Sequence, residues 1–267
     1  MAPRGADNLH HAIKMGIPYI FDIQLADELL WHASNPLMID CYKNAKAVYF
    51  LSDKNRNAAE KQLGIKLLNA KKHFNPIKIS KYETPLVITD IIKFACIGRM
   101  GVEHKRQDLI LEILASTKWR ERNWELYFYG KGEHESSLKN LVKMYGLDDK
   151  VFFEGHVSNM DAVWKKCQAL LLPSSYEGMS LAVLESMQAG RVAIVTNAGG
   201  NIEYIRNGYN GFLAEAATYN LFSFAMEDAW QQISDWPIIG QRAKEKLISM
   251  VPNNAAEYFA DEIISYL

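Results

Sequence analysis

The sequence is poor in cysteine, and its three thiols, Cys41, Cys96 and Cys167, lie far apart. There is no C-x-x-C spacing of a zinc or redox site, and an odd number argues against a disulfide framework. Long hydrophobic runs are also lacking, because no apolar stretch approaches the ~18 residues of a membrane-spanning helix, and the start, from Met1 to Gly5, has no signal-peptide core. These absences predict a protein of the reducing cytoplasm, and any membrane contact would be peripheral, at the inner face of the plasma membrane.

An excess of either charge is missing as well. The 30 lysines and arginines nearly balance the 31 aspartates and glutamates, which gives a net charge of -1. Such a chain has no long-range field that would attract nucleic acid, so an anionic ligand has to be held by local groups. No cluster of metal-ligating residues is visible, and no metal is expected.

Short apolar runs alternate with longer helical patterns along the 267 residues, which is typical of β-α units wound around a parallel sheet. The fold class is therefore α/β. The periodicity breaks between about Asn75 and Pro85, which predicts an inter-domain linker. We expect a first domain over residues 1–85, a second over 86–250, and a C-terminal helix over 251–267 that packs back toward the first domain.

Only two strands are predicted in the first domain, Tyr19–Ile23 and Ala47–Leu51, too few for an independent sheet with both faces covered. We therefore expect this domain to be partial, with the chain starting partway through it, and the second to be complete. Three helix boundaries are also predicted. Ser52 is placed to cap a helix, another helix runs from about Gln107 to Thr117, and Asn254 with Glu257 has the spacing of a capping box at the start of the last helix.

The candidate site centres on Glu177 and Glu185, which follow an apolar strand and flank the start of the next helix. In open parallel sheets, ligands bind at this carboxyl edge of the strands. Gly178 allows a ligand close to the backbone, and the N–H groups near Met179 and Ser180 at the helix start favour a diphosphate. Glu177 would then face a sugar, and Glu185 would accept hydrogen bonds from two ribose hydroxyls. The motif predicts a nucleotide-sugar site.

Two cations fit the same site. Arg99 follows another strand, and Lys105 comes six positions later, so both are placed to neutralise a diphosphate leaving group. Each feature also has an ordinary explanation, since acidic residues are favoured at helix starts and single cations are commonly solvated surface charges. His156 has two interpretations, a backbone contact to a nucleobase or a structural histidine. The combination favours a binding site.

Together these residues resemble one family. The matching segments are, in chain order, Ile97-Gly98-Arg99 with His104-Lys105, Gly130-Lys131-Gly132, Phe153–Val157, Pro173–Gly178 with Glu185-Ser186-Met187 and Gly190, and Asn197–Gly200. Their order and spacing are similar to glycosyltransferase family 4, the retaining "group 1" enzymes of GT-B fold, over about residues 93–215. The resemblance implies a complete Rossmann-like C-terminal domain plus a partial N-terminal one.

The resemblance also implies the roles of the site residues. The catalytic residues would be Arg99 and Lys105, on the donor diphosphate, and Glu177, on the donor sugar. The donor pocket would be lined by Glu185, Gly178, Met179, Ser180, Leu181, Gly130, Gly132, His156 and Val157. The donor would be a UDP- or GDP-sugar, with no further cofactor. The acceptor would be a glycan or glycolipid of cell-surface polysaccharide or lipopolysaccharide biosynthesis.

Two departures leave alternatives open. About the first third of a typical member has no counterpart here, and Gln24 stands where members often carry a histidine. A non-catalytic nucleotide-sugar-binding or interaction module is therefore an alternative, and a sugar-nucleotide epimerase or a phosphorylase on the same scaffold is another. A nicotinamide dehydrogenase is disfavoured, because the Gly130–Gly132 loop has Glu135 in place of the third glycine of G-x-G-x-x-G.

Overall fold

The computed structural model describes residues 6–24, 36–75, 77, 85–252 and 254–266. Two compact units are present, one formed by residues 1–76 with 254–267 and the other by residues 77–253. The predicted linker between Asn75 and Pro85 falls mostly outside the described residues. Within the described ranges, no helix has both the length and the apolar character needed to cross a membrane.

The first unit begins with a small parallel sheet flanked by helices. Its elements up to residue 76 are α1 (Ala6–Met15), β1 (Ile20–Ile23), α2 (Pro36–Asn44), β2 (Ala47–Phe50), α3 (Asp53–Leu63) and β3 (Ala70–Lys72). The strand order is β1-β2-β3. The predicted cap of α3 is confirmed, since the Ser52 hydroxyl accepts a hydrogen bond from the Asn55 N–H at 3.1 Å. The prediction of only two strands is wrong, because β3, with no apolar pattern, joins the sheet through backbone pairing of Val48 with Ala70.

The second unit is a six-stranded parallel sheet with helices between the strands. Its elements are β4 (Ile92–Ile97), α4 (Val102–Lys105), α5 (Gln107–Leu114), α6 (Thr117–Arg120), β5 (Trp124–Tyr129), α7 (Glu135–Tyr145), β6 (Val151–Gly155), α8 (Met160–Lys166), β7 (Ala169–Leu172), α9 (Leu181–Gln188), β8 (Val192–Thr196), α10 (Asn201–Tyr204), β9 (Phe212–Ala214), α11 (Tyr219–Gln231), a 3₁₀ turn (Ile233–Asp235) and α12 (Trp236–Met250).

The order of its strands is β6-β5-β4-β7-β8-β9. From β4 the sheet first grows through β5 and β6 on one side, and then through β7, β8 and β9 on the other. This reversal between β4 and β7 is a topological switch point, where open α/β sheets bind their ligands. Every residue of β7 and β8 is buried, as expected of central parallel strands covered on both faces.

The helix predicted over Gln107–Thr117 is wrong in its extent. It ends at Leu114, and the separate helix α6 starts at Thr117. The intervening Ser116 is extended (φ -64°, ψ 152°) and forms the N-cap of α6, so the chain turns there. The turn lets Trp119 enter the hydrophobic core beside Phe94, with their ring centroids 6.3 Å apart.

The C-terminal helix α13 (Ala255–Ile264) belongs to the first unit. The ring of Phe259 stacks on His73 with centroids 4.7 Å apart and meets Tyr49 edge-on at 4.9 Å. The predicted capping box of Asn254 and Glu257 is wrong, because the Asn254 side chain makes no capping hydrogen bond to any described residue. Aromatic packing and the ion pair between the Lys71 Nζ and the Glu262 Oε1, 2.6 Å apart, therefore hold this helix against the small sheet.

Candidate active site

Lys105 and Glu177 meet across the switch point of the second sheet. Lys105 ends α4 after β4, and Glu177 lies in the loop after the adjacent strand β7. The Lys105 Nζ is 2.5 Å from the Glu177 Oε1, which also accepts a hydrogen bond from the Ser174 hydroxyl at 2.7 Å. The Ser175 N–H donates to the His104 carbonyl at 2.8 Å, so the two loops are also joined through their backbones. The structure thus brings together two of the three residues predicted to be catalytic.

The loop after β8 supports the loop that carries Glu177. The Gly200 N–H donates to the Gly178 carbonyl at 2.9 Å, and the Thr196 hydroxyl donates to the Ser174 carbonyl at 2.5 Å. Gly199 is left-handed (φ +52°), and a Cβ there would lie 2.1 Å from the Glu177 carbonyl oxygen. Only glycine fits, because any side chain would push the Glu177 backbone away.

The start of α9 presents backbone donors beside Glu177. Gly178, Met179 and Ser180 are buried, whereas Leu181, the first helical residue, is 45% exposed. The first N–H groups of a helix have no partner within the helix, and their aligned dipoles attract negative charge. The Ser180 side chain at the N-cap makes no capping hydrogen bond to the part of the chain that is described.

Glu185 lies in the second turn of α9, four positions after Leu181 and therefore on the same side of the helix. It is half-buried, and burial raises the pKa of its carboxyl above the ordinary value. Among the described residues, no side chain makes a hydrogen bond or ion pair with this carboxylate. A carboxylate held partly out of water without a protein partner is suited to accept hydrogen bonds from a ligand.

Arg99, the third predicted catalytic residue, contacts a different partner. It follows β4, is 74% exposed on its side chain, and donates from Nε and Nη2 to the Glu133 Oε2 at 3.0 and 2.8 Å. Glu133 lies in the loop after β5 and was missed by the sequence analysis. No sequence pattern signals it, because the pair depends on two loops that approach each other in space.

Glycines bring those two loops together. Gly130 has φ +136°, and a Cβ on it would lie 2.0 Å from the Gly98 carbonyl oxygen. At Gly132 a Cβ would lie 2.3 Å from the Met100 carbonyl oxygen. The loop predicted to line the donor pocket therefore packs backbone to backbone against the loop that carries Arg99.

His156 and Val157 follow β6, which forms one edge of the sheet, so they lie at the carboxyl edge two strands away from β4. The side chain of His156 is exposed and that of Val157 is half-buried. In the described part of the chain, no group of three or more His, Cys, Asp or Glu side chains is arranged to hold a metal ion.

The family model described as glycosyl transferases group 1 matches residues 87–232. The chain belongs to this family. The matched range contains the strands, loops and side chains of the site described above, so the predicted resemblance to the group 1 enzymes is confirmed. Assignment of the chain to family 4, and the retention of configuration, stay predictions.

Two curated relatives of the chain show what share of each protein is matched. The protein EpsD of Bacillus subtilis (strain 168) is 27% identical over 164 residues, which cover 61% of this chain and 43% of EpsD. The poly(ribitol-phosphate) alpha-N-acetylglucosaminyltransferase of Staphylococcus aureus (strain COL) is 23% identical over 189 residues, 69% of this chain and 34% of that enzyme. The chain therefore matches less than half the length of these relatives.

Solved structures agree with the fold. HepE of Anabaena, in complex with UDP, superposes with a TM-score of 0.81 at 16% identity. The superposition covers 98% of this chain and 76% of the HepE chain. A point mutant of TarM of S. aureus superposes with a TM-score of 0.78 at 18% identity. The superposition covers 91% of this chain and 50% of the TarM chain. The predicted α/β fold of GT-B type is confirmed.

Proposed function

We propose that this group 1 glycosyltransferase is a family 4 enzyme that transfers a sugar, with retention, from a nucleoside diphosphate sugar to a hydroxyl of a glycan or glycolipid. The observation that carries the proposal is the contact of Lys105 with Glu177 at the switch point, beside the open start of α9. A cation, a carboxylate and a row of N–H donors there match the charge pattern of a sugar joined to a diphosphate.

Departure of the diphosphate is the demanding step. The bond from the sugar C1 to the diphosphate oxygen breaks, and its electron pair stays on the diphosphate. The acceptor oxygen bonds to C1, and its proton passes to the departing diphosphate oxygen. Lys105, Arg99 and the N–H groups of Ser180 and Leu181 would stabilise the growing negative charge. Such donors need little rearrangement during the reaction, which is why they lower the barrier.

The two glutamates would bind the ends of the donor. Lys105 and Ser174 hold Glu177 in a fixed orientation, from which its carboxylate would bind sugar hydroxyls. Glu185 would take the vicinal hydroxyls of the ribose, which supply the donors that its carboxylate lacks. Gly130, Gly132, His156 and Val157 would surround the remainder of the nucleotide.

The donor class is supported by structural neighbours. HepE was solved with UDP and with UDP-glucose, and the TarM mutant with fondaparinux, alpha-GlcNAc-glycerol and UDP. We therefore propose a UDP- or GDP-sugar as donor and cell-surface polysaccharide or lipopolysaccharide assembly as the setting. The protein would act in the cytoplasm, with any membrane contact peripheral.

The first test is titration calorimetry of the 267-residue chain with UDP and GDP. We expect micromolar binding of one of them, and Glu185→Ala to weaken it about tenfold or more, since a hydrogen bond to a charged group contributes about 1.5–3 kcal/mol. Glu185→Ala should also abolish the preference for the ribonucleotide over its 2′,3′-dideoxy analogue. Glu112→Gln, on the exposed side of α5, is the control for a lost charge.

Turnover separates an enzyme from a binding module. We expect slow hydrolysis of the bound sugar nucleotide, with the released sugar keeping its anomeric configuration by proton NMR, and loss of this activity in Lys105→Ala. An inverted product would contradict retention. Tight binding without transfer or hydrolysis would instead support the non-catalytic alternative, and equal nucleotide affinity of wild type and Glu185→Ala would remove Glu185 from the site.

A further inference from the structure

The Arg99 guanidinium is engaged by a carboxylate of the protein itself. Its Nε and Nη2 both donate to the Glu133 Oε2, at 3.0 and 2.8 Å. The two side chains are 74% and 47% exposed, so a ligand from solvent can reach both. The cation expected to bind a diphosphate therefore already holds an anion in this structure.

The backbone keeps this pair in place. Gly130 and Gly132 bring the Glu133 loop against the Arg99 loop, and the Met100 N–H donates to the Lys131 carbonyl at 3.1 Å. The pKa of Glu133 is held below its ordinary value by its own backbone N–H and by Arg99, so the carboxylate is charged at neutral pH. The ion pair thus joins two loops whose backbones already pack against each other.

We propose that Glu133 is an affinity-determining residue of the donor site, whose carboxylate competes with the donor diphosphate for the Arg99 guanidinium. The inference rests on the proposed function, in which Arg99 binds that diphosphate. When the donor binds, a phosphate oxygen replaces the Glu133 carboxylate oxygen as the acceptor of the Arg99 N–H groups. Glu133 then stays close to the bound phosphates and repels them.

The size of the effect follows from the exposure of the pair. Exposed ion pairs change an equilibrium by about fivefold at most, because water screens them. The diphosphate carries more charge than one carboxylate, so it displaces Glu133 while binding less tightly than it would to an unpaired Arg99. The nucleoside diphosphate product carries the same diphosphate, so Glu133 also lowers the affinity for the product.

The test is a double-mutant cycle measured by calorimetry with UDP and GDP on the full chain. Glu133→Gln should bind the nucleoside diphosphate about two- to fivefold more tightly than wild type, while the affinity for the parent nucleoside stays unchanged. Glu135→Gln is the matched control, because it removes the same charge only two residues away. Glu135 pairs with Lys139 at 2.7 Å and not with Arg99. In an Arg99→Ala background, Glu133→Gln should have a much smaller effect.

The outcomes separate the inference from the proposed function. If neither UDP nor GDP binds wild type, the proposed function fails and the inference with it. If the nucleotide binds and Arg99→Ala weakens it, but Glu133→Gln matches wild type or Glu135→Gln, only the inference is overturned. If Arg99→Ala binds as tightly as wild type, Arg99 is no phosphate ligand and the competition is overturned.

Discussion

Gly199 provides the sharpest test of how the site is built. Alanine there faces two penalties, the left-handed backbone at φ +52° and a Cβ 2.1 Å from the Glu177 carbonyl oxygen. The first costs about 1–2 kcal/mol. Since heavy atoms in contact separate to ~3.5 Å, the second forces the Glu177 backbone to move away by roughly 1.4 Å. We expect Gly199→Ala to lose about 3 kcal/mol of unfolding free energy, the sum of backbone strain and overpacking.

Gly208 is the matched control for this substitution. It is also left-handed (φ +70°), but an added Cβ would have no neighbour within 4 Å. Gly208→Ala should therefore lose only the ~1–2 kcal/mol of backbone strain and leave the site intact. Urea denaturation measures the stability of both proteins, and calorimetry with UDP or GDP measures the site.

The binding data decide the question. Displacing a ligand-binding group by ~1 Å can reduce function about 100-fold, so Gly199→Ala should lose at least tenfold in nucleotide affinity while Gly208→Ala stays within twofold of wild type. Wild-type affinity in Gly199→Ala would refute the reasoning, because it would mean that the position of the Glu177 backbone is irrelevant to binding.

Three further predictions concern stability. Arg106 is the only described non-glycine residue with positive φ (50°), and its side chain donates a hydrogen bond to the Ala217 carbonyl at 3.0 Å. Arg106→Gly should be about 1 kcal/mol more stable than Arg106→Ala, because both variants lose this hydrogen bond but only glycine removes the backbone strain. Glu185→Gln should stabilise the protein at pH 7 to 8, by up to about 1 kcal/mol, because it removes a half-buried charge whose pKa is raised. This gain should shrink as the pH falls below the raised pKa and vanish below the ordinary value of 4.5, where the carboxyl is neutral in both the folded and the unfolded chain. The Arg122 side chain lowers the pKa of Glu227 to about 2, so the ~2 kcal/mol lost in Glu227→Gln at neutral pH should shrink as the pH falls from 4.5 toward 2.

Chemical denaturation over a pH series checks all three. An alanine variant of Arg106 as stable as the glycine variant would show that its φ carries no strain. A Glu185→Gln protein less stable than wild type at pH 8 would reveal a partner for that carboxylate. A pH-independent difference for Glu227→Gln would contradict the depressed pKa.

The sequence predicted the elements with strong local signals. Apolar strands such as Ala169–Leu172 form central parallel strands, and Ser52 caps α3 as its position indicated. Strand β3 could not be predicted, because Ala70–Lys72 has no apolar alternation and owes its conformation to pairing with β2. Strand β9, Phe212–Ala214, is apolar, but three residues are too short for a strand pattern, and its conformation depends on pairing with β8.

The candidate site divides in the same way. Lys105 and Glu177 were predicted to share an edge because each follows a buried strand, and the switch point brings them into contact. Their distance, the supporting Ser174 hydroxyl and the Glu133 partner of Arg99 depend on loop packing between distant segments. Sequence reasoning has no access to such tertiary approaches.

The packing of α13 into the first unit has a consequence for the order of folding. On the ribosome, residues 254–266 are synthesised only after all of the second unit, yet Phe259 completes the aromatic cluster with Tyr49 and His73. Bringing segments nearly 200 positions apart together has a large entropic cost while the intervening chain is unfolded. The six-stranded unit should therefore fold first, and the smaller sheet should reach its native stability last, when the final helix closes over it.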